Sequence, residues 1–175
     1  MFLVWVAVSV LHLICAFKSA GFLHPDEHFQ ILEFAWFKLG FTAGLPPESW
    51  EYQAQIRSGI LPWLATKIIG ITQKSVDGAT AADFALVLRA FAGSLGTLTL
   101  GLLWKGFGLH QHPNKRHFAA LILLLWFLPL LQSRFSSESL SGSVFFAALA
   151  LSLRGFPQSW IKNTAIGLLC ALAFG

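Results

Sequence analysis

The chain has 175 residues, 55% of them hydrophobic and only 11% charged, against roughly 25% charged in an ordinary soluble domain. With a mean hydropathy of +0.66, this composition excludes a water-soluble domain and predicts an integral membrane chain, all-α and multi-pass, forming one domain or part of one. The net charge of +4 comes from Lys and Arg scattered singly, without a basic run or basic helix face. Nucleic acid is therefore excluded as a partner, and a positive-inside bias explains the charge.

Residues 1–17 are apolar or small except for Ser9 and His12, and they lack the basic start and small-residue cleavage site of a signal peptide. They are predicted to be a retained first span. Residues 18–83 then form a long outer loop holding seven of the eight acidic residues, Pro46-Pro47 and an aromatic cluster at Trp50-Glu51-Tyr52. Loops of that length usually carry function.

Within this loop, Pro25 followed by Asp26 and Glu27 is a helix start: proline has no N–H to orphan, and acids suit the positive helix end. The helix is expected to run to about Leu39, stop at Gly40 and lie in the headgroup zone, because its apolar residues are too many for water. A second apolar stretch, Ile60 to Ile71, is interrupted by Pro62 and Lys67 and is too short to span.

Further spans are expected at 84–104, 118–132 and 140–153, with an incomplete one at 164–175 that makes the chain read as the first part of a larger domain. The loops 105–117 and 154–163 carry five Lys or Arg and the loop 133–138 one. The first two are therefore assigned to the cytosolic side and the acidic loop to the other. Gly93, Thr97 and Gly101 recur every four positions, which lets another helix approach closely. Cys15 and Cys170 sit in apolar segments and act as small hydrophobes.

The chemistry concentrates in His24-Pro25-Asp26-Glu27-His28-Phe29-Gln30. Asp26 and Glu27 point roughly 100° apart on a helix, so one of them takes the catalytic role and the other supports it. A carboxylate in the first helical turn stays ionised and can accept a proton from an approaching hydroxyl. His24, His28 and Arg57 add groups able to bind anions, and Gln30 and Glu33 extend the polar stripe from Asp26. His24, Asp26 and His28 are chemically compatible with a divalent ion, but no spacing signature calls for one, so no metal and no cofactor are predicted. Arg89, inside the span 84–104, is either functional or snorkels to headgroups. Arg134 and Glu138 form either a solvated turn or an anion-binding element on the side of the acids.

These residues resemble the dolichol-phosphate-mannose-dependent mannosyltransferases that build lipid-linked oligosaccharides and glycosylphosphatidylinositol anchors. The likeness rests on His24 through Gln30, on Tyr52 with Ile56-Arg57-Ser58 and Pro62, and on Ser133-Arg134-Phe135-Ser136, where Phe135 and Ser137 depart from the family's Arg-Thr-x-Ser-Asn-like run. It implies the type C glycosyltransferase fold and a polyprenyl- or dolichyl-phosphate sugar as donor, with a glycan or glycolipid as acceptor. It also implies Asp26 as base with Glu27 beside it, and His24, His28, Gln30, Arg57 and Arg134 around the donor phosphate. Membrane lipids are the other partners, in the endoplasmic reticulum of a eukaryote or the plasma membrane of a bacterium. Two rival readings are a type C transferase of another sugar and a non-catalytic membrane or transporter subunit.

Overall fold

The computed structural model describes residues 2–19, 31–42, 46, 50–54, 58–76, 78–125, 127–153 and 159–174. The described residues are helical, with no strand. His24, Asp26, Glu27, His28, Gln30 and Arg57 lie outside them, as does the helix start at Pro25.

The organising element is α5, Ala81–Gly106. Its 26 residues span about 39 Å at 1.5 Å per residue, and it is the one described helix long and apolar enough to cross a membrane. A capping box fixes its start: the Asp83 carboxylate accepts from the Thr80 amide at 2.8 Å and hydroxyl at 2.7 Å, and the Asp83 amide donates back to Thr80 Oγ1. Gly108, at φ +66°, ends it in the left-handed conformation a helix terminator needs.

Against α5 runs α1, Phe2–Lys18, in the opposite direction. Trp5 meets Trp104 edge-on at 5.9 Å, His12 lies beside Gly93, and the Arg89 guanidinium donates to the Ser19 carbonyl. Arg89 therefore closes the negative end of α1, a role that neither sequence reading of it included. The next helix ladder, α8 (Ser137–Ser152), also packs on α5. Thr99 donates to the Ser143 carbonyl at 3.1 Å, and at Gly106 an added Cβ would lie 2.6 Å from the Ala150 carbonyl oxygen.

Short helices fill the predicted outer loop. Glu33–Lys38 (α2) ends at Gly40, whose φ of +79° makes it the expected stop. Trp50–Ala54 (α3) places Tyr52 against Phe34 and Phe37 at 5.0 and 5.8 Å. Ile60–Ser75 (α4) is longer than the apolar stretch read from sequence. Pro62 does not interrupt it, because the first turn has no intrahelical acceptor for that position's missing N–H. Ile31, Ala35, Ala65, Ile69, Phe84, Leu88, Ala92, Phe135 and Leu140 form the core that joins α2 and α4 to α5 and the start of α8.

The expected span 118–132 is interrupted. Residues 118–132 are not one helix but two, α6 (Lys115–Leu124) and α7 (Phe127–Gln132), with Leu125 between them at φ −73°, ψ +71°. The cause is Pro129, which has no N–H for the Leu125 carbonyl and whose ring would strike it. Leu125 accepts instead from Leu128, at 2.9 Å. The last helix, α9 (Trp160–Phe174), packs on α8. Together these contacts gather Ser19, the start of α5 and the turn 133–136 at one end, with the loop after α5 and the end of α8 at the other.

Candidate functional site

The turn between α7 and α8 is built from polar residues and is nonetheless buried. Ser133 is 0% exposed, Arg134 6%, Phe135 5% and Ser136 9%, so the solvated-turn reading of Arg134 is overturned. The serines of the turn and the Arg134 amide are hydrogen-bonded, which lowers the cost of that burial, while Arg134 Nε is a buried atom that no hydrogen bond reaches among the described residues. Ser133 donates through its amide to the Pro129 carbonyl at 3.1 Å and through Oγ to the Leu130 carbonyl at 3.0 Å. The Arg134 amide donates to the Leu131 carbonyl at 3.1 Å. Ser136 caps α8 by accepting from the Ser139 amide at 3.2 Å, and Ser139 Oγ returns to the Leu131 carbonyl at 3.0 Å.

Arg134 and this turn form one wall of a cavity of about 630 Å³ between α5, α7 and α8. Its lining includes the polar residues Thr99, Gln132, Arg134, Ser136, Glu138 and Ser143 and the apolar residues Leu100, Leu103, Leu128, Leu131 and Phe146. Glu138 stands in the first turn of α8, where a carboxylate suits the helix end. A guanidinium is costly to bury unless charges and hydrogen bonds surround it. The lining thus sets a guanidinium, a carboxylate and several hydrogen-bonding side chains beside a much larger apolar surface.

Behind the turn lies a residue that sequence reasoning passed over. His12, 2% exposed in the middle of α1, holds the Val8 carbonyl with Nδ1 at 2.8 Å and Gln132 Oε1 with Nε2 at 2.8 Å. The signal that could have flagged it is its own presence, an ionisable side chain within a predicted span; its partner, 120 residues away, could not be read. A smaller pocket of about 190 Å³ on the far side of His12 is lined by Ser9, Leu13, Ala90, Gly93, Ser94 and Thr97. Of the small-residue stripe, Gly93 does serve close approach, to α1 and to the turn, but Gly101 has nothing within 4 Å of an added Cβ.

Of the residues assigned to the site from sequence, Arg134 falls among the described ones, and His24, Asp26, Glu27, His28, Gln30 and Arg57 lie outside them. Ser19, whose carbonyl Arg89 holds, is the residue from which the segment bearing Asp26 continues. Arg89 is one helical turn along α5 from Gly93, about 6 Å in rise, and Gly93 abuts Ser133. The chain thus leaves α1 near the level of the Arg134 turn. Among the described residues, no three His, Cys, Asp or Glu are grouped to hold a metal ion.

Helical throughout its described residues, with apolar residues such as Leu3, Phe17, Trp160 and Leu168 turned outward and a largely apolar cavity beside a buried arginine, the chain has the make-up of a membrane-associated protein. It belongs to the Alg9-like mannosyltransferase family, whose family model matches residues 3–175, and it is accordingly a glycosyltransferase of the mannosyltransferase kind. No curated protein and no solved structure matches the chain.

Proposed function

We propose that the chain takes part in transfer of mannose from a polyprenyl-phosphate carrier to a glycan or glycolipid hydroxyl, at the non-cytosolic face of a membrane that it crosses several times. The observation that carries this reading is the buried Arg134 in the lining of a largely apolar cavity. A lipid phosphate needs both: a fixed cation for its head and an apolar surface for its first isoprene units. The family supplies the sugar.

In this reading the acceptor hydroxyl attacks the anomeric carbon while Asp26 takes its proton. The bond from that carbon to the phosphate oxygen breaks, and the electron pair leaves with the polyprenyl phosphate, whose growing charge Arg134 meets. Glu27 supports Asp26 in the motif, and His24, His28, Gln30 and Arg57 complete the phosphate surroundings. Positioning and electrostatics then supply most of the rate. The outward apolar faces of α1, α5 and α9 support the multi-pass arrangement, and the basic loop after α5 supports its orientation.

The test is a transfer assay on the membrane-embedded protein with polyprenyl-phosphate mannose. Asp26→Asn is expected to abolish turnover while leaving donor binding intact, and Arg134→Ala to raise the donor KM. A fully active Asp26→Asn protein would remove the base, and an unchanged donor KM in Arg134→Ala would remove the phosphate partner.

A further inference from the structure

We infer that His12 is a positioning residue for the donor site, acting through Gln132 to set the turn that presents Arg134. This rests on the assignment of Arg134 to the donor phosphate. A buried imidazole inside an apolar helix is retained at a cost in desolvation unless both nitrogens are satisfied, and here both are. With Nδ1 donating to Val8, a neutral ring leaves Nε2 to accept from the Gln132 amide once its NH2 turns inward; a protonated ring donates to Oε1. Either form ties α1 to the last residue of α7.

Gln132 has little freedom beyond that bond. A Cβ at Gly96 would lie 2.7 Å from Gln132 Cβ and 3.0 Å from Cδ, so α5 packs directly on the side chain. Gln132 also lines the large cavity, with Arg134 two residues on. His12 on one side and the bare Gly96 backbone on the other therefore clamp Gln132. The clamp fixes where the following turn begins and hence where the guanidinium stands relative to the apolar wall. Nothing in this arrangement lets His12 touch a ligand in that cavity, because the Gln132 side chain stands between them.

The full chain is assayed in lipid with polyprenyl-phosphate mannose, beside a binding measurement with the polyprenyl phosphate alone. His12→Leu is expected to raise the donor KM and weaken lipid-phosphate binding about five- to tenfold, the worth of one buried hydrogen bond, with kcat within about twofold. Gln132→Leu should do the same, and the double variant no more. His12→Gln, whose amide can still reach Gln132, should restore most of the affinity. In an Arg134→Ala background, His12→Leu should add nothing to KM, which a merely structural role would not predict. A folded His12→Leu protein with unchanged KM, or losses that multiply with those of Arg134→Ala, overturns the inference. If His12→Leu does not fold, Gln132→Leu decides, and an unchanged KM there has the same force. An unchanged KM in Arg134→Ala itself removes the phosphate role and the positioning role together, whereas a change there without one at His12 removes the positioning role alone.

Discussion

Two short polar links join helices at opposite ends of the molecule, and they are treated in opposite ways. The link 107–114, with the basic residues Lys115 and Arg116 that follow it, is exposed for most of its length. His112, for example, turns its ring to Phe118 at 5.2 Å and is otherwise at the surface. The turn 133–136 has the same kind of composition, yet every residue in it is buried. Polar character alone does not place a segment in water. What counts is whether its groups find partners: Ser133 finds them in carbonyls at the end of α7, and Ser136 in the Ser139 amide at the start of α8.

The comparison can be broken most forcefully by the same charge reversal at both ends. Arg134→Glu is expected to lower mannosyl transfer by about two to three orders of magnitude, the usual loss when a charged partner of a developing anion is removed. Arg116→Glu should leave transfer within about twofold. Equal losses at both positions would make Arg134 no different from a surface charge.

Glycine contacts give the next effect. Gly106→Ala drives a methyl group into the Ala150 carbonyl, and Gly96→Ala drives one into Gln132; each should cost about 1–3 kcal/mol of stability as an overpacked contact, read by thermal unfolding in a fixed detergent. Gly96→Ala should also raise the donor KM, and Gly106→Ala should not. A smaller change follows from Ser136→Ala, which deletes the cap of α8 and should cost about 1 kcal/mol. The smallest is expected for Lys115→Ala with Arg116→Ala, with stability and donor KM both nearly unchanged, since their side chains lie at the surface.

Much of the helical layout was open to inspection in the sequence, because Gly40 stands where a helix must stop and the apolar stretch 84–104 admits little else. The break at Leu125 was equally present in the residues: Pro129 is its cause, and counting apolar length alone hid it. The site was less legible for a different reason. Arg134 among serines has the composition of a surface turn, and its burial depends on the close approach of α5 at Gly93 and Gly96, which joins segments some forty residues apart. His12 shows the same limit, since its pairing with Gln132 joins positions at the two ends of the chain. The acidic motif of residues 24–30 stood out in sequence by its density of functional groups, and the family assignment came from the pattern of the whole.

The proline at 129 has a mechanical consequence for the cavity. Leu128 and Leu131, on the short rod beyond the break, make part of its apolar wall, while the opposing wall belongs to long unbroken rods. With the ladder interrupted, the place of that wall is set by packing, through the His12–Gln132 bond and the contact at Gly96, rather than by continuity with α6.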